Sequence, residues 1–360
     1  MLGFDLSRHR LTLVALATWC VGTGLGLAAH AQQEPAQVEE PAQVEEAAPL
    51  AARVQPREYP ELVAVEKMIR YKEWEKAEQW LYQFVKQNPD HAEALRRLGI
   101  VELRRAGGDV VRARQYLERA LKLEPDYTVG IVLLSKVHEV ENDLSGAAKL
   151  YDRAIELGPG RRDPIRAGAV HIARFSRARL YQVAEQYDEA QELYAQVLRS
   201  EPLNGYASYE LGLIALERDD KKTARELLLK AVDQLQRWAP AEAWLYNPGR
   251  YSYMRENAHL QVARIMLDQG EAGEAKSLLE PLWRMVQTRN KAKGLSNKPT
   301  APLQGEADLT FEDAPFYYGE ALAALGDGKT ASKVFKEFSK MRVGDLDLRQ
   351  RARTRAREVR

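Results

Sequence analysis

The chain has 360 residues, 45% of them hydrophobic and 29% charged, with 53 basic and 52 acidic groups and a formal net charge of +1. That balance excludes the bulk electrostatic signature of a nucleic-acid binder. A single cysteine, Cys20, excludes a disulfide framework and a cysteine-ligated metal site, while the richness in Ala, Leu, Glu, Arg and Gln favours helix over strand.

The first segment reads as a targeting signal. Arg8 and Arg10 precede an uncharged stretch from Leu11 to Ala29, and Ala29-His30-Ala31 offers the small-x-small pattern that a signal peptidase accepts before Gln32. Residues 1–31 are thus expected to be a signal peptide and the protein periplasmic. The apolar stretch is long for a signal, which leaves open an inner-membrane anchor that faces the chain into the periplasm; the basic residues stay cytoplasmic in both cases. Cys20 lacks the Leu-small-small approach of a lipoprotein signal. Gly22, Gly24 and Gly26 follow no strand and form no phosphate loop. Without residues 1–31 the basic and acidic groups balance and no cysteine remains.

Residues 32–57 repeat Glu-Pro-Ala-Gln-Val-Glu at 34–39 and 40–45, with further prolines at Pro49 and Pro56. A segment so rich in Pro, Glu and Ala buries too little apolar surface to offset its ordering entropy, and is expected to be a disordered, extended spacer.

From residue 58 the chain becomes periodic. Four segments carry an alanine followed twelve residues later by a proline: Ala77 and Pro89, Ala113 and Pro125, Ala147 and Pro159, Ala190 and Pro202. Four and seven residues past the alanine stand Leu81 and Phe84, Leu117 and Ala120, Tyr151 and Ala154, Tyr194 and Val197. These offsets place one small and two further apolar residues on one helical face, and the proline ends the helix because it cannot continue the hydrogen-bond ladder. Three later segments keep the face without the proline: Ala224, Leu228 and Ala231; Ala275, Leu279 and Leu282; Ala331, Phe335 and Phe338. About twelve positions upstream a small residue recurs, at Ser135, Ala178, Gly212, Ala263 and Gly319, with Gly99 displaced by an insertion at Ala106-Gly107-Gly108. Polar turn formers such as Glu141-Asn142-Asp143 and Gly326-Asp327-Gly328 lie between. The unit is a helical hairpin whose two helices approach closely.

Two stretches break the period. Residues 237–255 hold Trp238, Trp244, Tyr246, Tyr251 and Tyr253, aromatics that could stack on a sugar or fold back against the offset hairpins. Residues 288–311 begin basic, with Arg289, Lys291, Lys293 and Lys298, and are expected to be a surface loop. The last segment, 341–360, carries arginines at 349, 351, 353, 355, 357 and 360 as a helix or tail. Alternate spacing spreads these charges around a helix, so a polar end cap competes with anion binding. No HExxH, GxSxG or Walker pattern occurs in the chain past residue 31, and His91, His138, His171 and His259 fall in different hairpins. No catalytic residue, cofactor or metal ligand is expected. His138 sits at a helix-packing position, as a buried polar contact would.

The alanine-to-proline spacing and the small residues resemble the tetratricopeptide repeat, a 34-residue helix-turn-helix; the key alanines here lie 36, 34, 43, 34, 51 and 56 residues apart. The resemblance spans about 58–340. It implies an all-α fold, a right-handed α-solenoid of about seven hairpins with a concave groove, and a non-enzymatic scaffold that binds other proteins. By the family's pattern the groove-facing residues are Arg96, Ile100, Arg104, Val132, Lys136, Phe175, Arg179, Tyr206, Tyr209, Leu213, Leu260 and Arg264. Cations among aromatic and aliphatic groups suit an acidic peptide or helix. Ile100 and Lys136 stand where the family's carboxylate clamp has asparagine, which argues against chaperone tails. The expectation is a protein-interaction scaffold in a bacterial envelope assembly, binding no nucleic acid and meeting a membrane only through an uncleaved signal. The competing reading is a carbohydrate- or peptidoglycan-binding accessory protein that uses Trp244, Tyr246, Tyr251 and Tyr253.

Overall fold

The computed structural model describes residues 59–105, 107–158, 164–237, 253–295 and 310–359. A 3₁₀ turn at Pro60–Leu62 leads into seven helical hairpins. They pair α1 (Val63–Arg70) with α2 (Trp74–Gln87), α3 (Ala92–Arg104) with α4 (Val110–Leu123), and α5 (Thr128–Val140) with α6 (Leu144–Leu157). Next come α7 (Pro164–Val183) with α8 (Tyr187–Ser200) and α9 (Gly205–Glu217) with α10 (Lys221–Arg237). The last two pair α11 (Met254–Asp268) with α12 (Ala272–Leu295) and α13 (Ala314–Ala324) with α14 (Gly328–Phe338), after which α15 (Leu346–Glu358) closes the described chain. Among the described residues there is no strand, and no helix is long and apolar enough to cross a membrane. The apolar stretch Leu11–Ala29, the spacer 32–57, and Trp244, Tyr246 and Tyr251 lie outside the described residues.

The repeating alanines explain the hairpins. Ala77, Ala113, Ala147, Ala190, Ala224, Ala275 and Ala331 are all fully buried, each on the second helix of its pair. The small residues opposite let the helices touch. A Cβ added at Gly212 would stand 2.8 Å from Leu228 Cγ, and one at Gly319 would stand 2.5 Å from the Phe335 ring, so nothing larger than hydrogen fits without a shift. Val65 takes the equivalent place in the first hairpin and is itself buried, on an α1 of only 8 residues.

The turns share one device. Five residues before the key alanine the backbone is left-handed, at Lys72 (φ 59), Asn142 (φ 61), Glu185 (φ 59), Asp219 (φ 57), Gly270 (φ 80) and Gly326 (φ 81). A single such residue reverses the chain between two helices. An acidic side chain then caps the second helix: Asp109 accepts from Val111 and Arg112 N–H at 2.9 and 3.1 Å, Asp143 from Gly146 at 2.9 Å, Asp220 from Thr223 at 3.0 Å and Asp327 from Thr330 at 3.1 Å.

Hairpins stack in chain order, each second helix against the first helix of the next pair. Neighbouring first helices also meet, α3 on α5, α5 on α7, α9 on α11 and α11 on α13, whereas the second helices of successive pairs stand further apart. In a curved stack the inner elements crowd, so the first helices line the inner side of this α-solenoid. On the proline side, Arg119 donates to Pro89 O at 2.6 Å and Arg153 to Pro125 O at 2.8 Å, which ties each hairpin to the turn before it. The stretch expected to be a loop from 288 is helical as far as Leu295, because Arg289 gains partners there: Glu312 Oε1 at 2.6 Å and the Tyr253 hydroxyl at 3.1 Å.

Candidate interaction face

The first helices bring the expected groove residues into three polar clusters joined by apolar ground. In the first, Glu93 opens α3 and is almost wholly buried. Its carboxylate accepts from Arg96 Nε at 2.8 Å, from Arg97 Nε at 2.9 Å and from the Tyr127 hydroxyl at 2.7 Å, while Arg97 reaches Glu66 of α1 at 2.5 Å. Burial by itself would raise the Glu93 carboxyl; the two guanidiniums and the tyrosine overcome that and hold it at about 2. Three hairpins are thereby joined through Glu93 and its partner Arg97.

The second cluster is centred on Glu139 of α5. Lys136 Nζ lies 3.3 Å from Glu139 and 2.8 Å from Ser176 Oγ; Arg179 of α7 donates to the same carboxylate at 3.0 Å, and the Tyr151 hydroxyl donates at 3.0 Å. Burial lowers the Lys136 ammonium to about 8, a penalty that Glu139 only partly offsets against the added repulsion of Arg179. Two cations share one anion.

In the third, Arg264 is exposed, lies over the Tyr317 ring at 5.1 Å and donates to Gln261 at 2.9 Å. Beside it Asp313 is pushed up to about 6, mainly by burial, with Asp345 adding repulsion.

These contacts correct part of the expected groove. Arg96, Lys136 and Arg179 are not cations waiting for an acidic ligand; each is neutralised in part by a carboxylate one helical turn or one hairpin away. Phe175 is fully buried, edge-on to Tyr194 at 5.2 Å, and Ile100 and Tyr209 are 8% and 7% exposed, so they build the floor and contact no solvent-borne partner freely. Arg104 packs over Trp74 at 4.8 Å. Tyr206 and Leu213 are half-buried and remain accessible, with Val132 and Leu260 beneath them in the core. Sequence reasoning missed Val140 and Val183, which occupy equivalent places at the ends of α5 and α7 and are 47% and 57% exposed. It also missed Glu93 and Glu139, although both lie three residues from a named cation, the spacing of helical neighbours.

Tyr253 is likewise corrected. It precedes α11, its ring is 4.8 Å from that of Phe311, and Arg289 lies over it at 5.3 Å; this aromatic serves the junction of α11 with the 3₁₀ turn at Thr310–Asp313. His138 is a polar packing contact, its Nδ1 2.7 Å from Asp143, and His171 is buried against Glu201 at 2.8 Å. Among the described residues no group of three His, Cys, Asp or Glu is placed to hold a metal ion. A depression of about 650 Å³ lies between α13, α14 and α15; of its charged groups, Arg355 already binds Glu320 and Glu358 at 2.7 and 2.8 Å, and Lys329 stands at its edge.

An all-helical stack of hairpins with an inner face of first helices defines an α-solenoid built for protein contact. The tetratricopeptide repeat family model matches residues 73–128 and 175–240. A TPR repeat-containing protein of Pseudomonas aeruginosa is 28% identical over 88 residues, which make up 24% of this chain and 84% of that protein. Two solved structures share the fold. Pseudomonas aeruginosa pilF superposes with a TM-score of 0.50 at 15% identity, over 73% of this chain and 97% of that one. A chain of the APC/C hetero-tetramer Cut9–Hcn1 superposes with a TM-score of 0.52 at 13% identity, over 80% of this chain and 48% of that one. Residues 73–128 and 175–240 thus have the sequence of tetratricopeptide repeats, and the described hairpins form the all-α solenoid that such repeats build.

Proposed function

We propose that this protein is a non-enzymatic scaffold that holds a peptide or helical segment of a partner along its first-helix face, within a bacterial envelope assembly. The carrying observation is the ground between α5 and α9. Exposed Val140 and Val183 lie four residues past Lys136 and Arg179 on their own helices, half-buried Tyr206, Leu213 and Leu216 continue the apolar ground on the next first helix, and the Lys136–Glu139–Arg179 cluster keeps one net positive charge when its lysine is protonated. An apolar strip with a single residual cation suits a segment with aliphatic anchors and one carboxylate, a weaker demand than a strongly acidic ligand. The export reading of residues 1–31 supports the envelope placement.

The test is in-cell crosslinking and recovery from the envelope fraction, comparing wild type with a Val140→Asp/Val183→Asp variant of equal helicity. Both side chains are exposed, so the fold is expected to tolerate the change. Loss of a specific protein crosslinked in wild type supports the proposal; an unchanged set of crosslinked partners refutes this face as the binding surface.

A further inference from the structure

The outer surface of the last hairpin carries a charge feature that partner binding by the first helices does not use. Lys329, Lys333 and Lys336 are spaced four and three residues apart, which sets them in one stripe along α14, Lys340 follows in the turn just past its end, and all are exposed. The arginines of α15 divide between two sides. Arg351 lies over the Phe316 ring at 4.9 Å and Arg355 grips Glu320 at 2.7 Å, so this side of α15 turns to α13. Ala352 and Ala356 are buried, and Ser332 of α14 donates to Ala356 O at 2.6 Å, which fixes the side that meets α14. The remaining side points away from α13 and bears exposed Arg353 and Arg357, with Leu346, 58% exposed, on the same side at the start of the helix, two turns before Arg353. Among the described residues none of Lys333, Lys336, Lys340, Arg353 and Arg357 has an ion-pair partner. A chain of net charge +1 thus concentrates at least five cations without an ion-pair partner among the described residues on α14, α15 and the turn between them.

We propose that the outer surface of α14 and α15 docks on an anionic lipid surface, with the cations held by headgroup phosphates and Leu346 seated at the interface. Lysine ammoniums are compact point charges without the fork geometry that selects one planar partner, so a row of them suits a diffuse layer of negative charge. The exposed leucine at the start of α15, on the side of Arg353 and Arg357, adds an apolar group that can enter the headgroup boundary beside them. No exposed aromatic stands in the stripe to stack on bases, as a single-stranded nucleic-acid platform would require. The contact is separate from the N-terminal apolar stretch and from the first-helix face, so it can fail while the proposed function stands.

Hydrogen–deuterium exchange of the full chain tests it, because the readout is local and unaffected by any anchoring through residues 11–29. The full chain is mixed with phosphatidylcholine vesicles or with vesicles of phosphatidylcholine and phosphatidylglycerol at low salt. Added protection of residues 328–358 is expected with the anionic vesicles alone. It should be lost in about 0.5 M salt, where the screening length falls to a few ångströms. It should also be lost in a Lys336→Gln/Lys340→Gln/Arg353→Gln/Arg357→Gln variant whose helicity is unchanged, and fall at least twofold in Leu346→Ser. Equal protection with both vesicle types, or an unaltered response of the quadruple variant, overturns the proposal. So does protection by duplex DNA or an acidic peptide at matched charge when the anionic vesicles give none.

Discussion

Two buried charged residues on the inner face have opposite effects on stability, and pH separates them. Glu93 is held at about 2, below its ordinary 4.5, so the unfolded chain binds the proton more readily. Its contribution, on the order of 3 kcal/mol, is therefore complete above pH 4.5 and is lost as pH falls towards 2. Lys136 is held at about 8, below its ordinary 10.5, which is the reverse case of a buried cation. The unfolded chain again binds the proton more readily, so stability rises between pH 8 and 10.5 and the full cost of the charge is carried at neutral pH. Thermal unfolding across pH should show Glu93→Gln losing stability at pH 7 and flattening the acid limb, whereas Lys136→Met gains about 1–3 kcal/mol at pH 7, a gain that shrinks towards pH 10. A Lys136→Met protein less stable than wild type at pH 7 would show that the Glu139 and Ser176 contacts outweigh the desolvation. These roles were hidden in the sequence for a plain reason. Helical position tells which face Arg96 or Lys136 occupies, but not that Tyr127 or Arg179, from the next hairpin, completes the coordination of the nearby carboxylate.

At the scale of the helical pair, glycine marks either a contact or merely a gap, and the two predict opposite outcomes. Gly319 meets Phe335, where an added Cβ falls 2.5 Å from the ring, so Gly319→Ala should overpack the α13–α14 contact and cost about 1–3 kcal/mol. Gly273, near the start of α12, has nothing within 4 Å of its Cβ position, and Gly273→Ala should stabilise by roughly 0.5–1 kcal/mol through helix propensity. Denaturant midpoints at constant slope decide both; two changes of the same sign would contradict the packing argument. This level was the most legible from sequence, because small residues at Gly212 and Gly319 and alanines such as Ala224 and Ala331 are the direct imprint of helices in contact. The proline rule was less general. Pro281 lies inside α12, and the helix continues past it to Leu295, so neighbouring contacts such as those of Arg289 outweigh one missing N–H. Conversely, no local signal separates Lys72, Glu185 and Asp219 from other polar turn residues, although each takes the left-handed backbone that reverses its hairpin.

Across the whole solenoid the buried apolar residues form two groups. One joins Leu62, Val65, Ala77, Leu81, Val85 and the inner residues of α3 with Ala120; the other runs from Ile100 and Ala113 to Ala356. Helix α4 belongs to both, since Ala113 and Leu117 pack in the larger group and Ala120 in the smaller. In a linear stack each hairpin is supported by its neighbours, so stability is a sum of local and nearest-neighbour contributions and an end hairpin with one neighbour opens first. The first hairpin has the shortest helix of the described α-helices, 8 residues, and shares a small core with α3, which places the weakest coupling at α4. Native-state hydrogen exchange should therefore show α1 and α2 exchanging through a partial opening that leaves α5–α10 protected. Leu81→Ala should lower protection in 63–101 alone, whereas Leu228→Ala should lower it in the larger group. Equal loss over the whole chain in both variants would instead mean that the Glu93–Tyr127 bridge carries cooperativity across α4, which makes that inner-face polar contact, and not apolar packing, the coupler between the two cores.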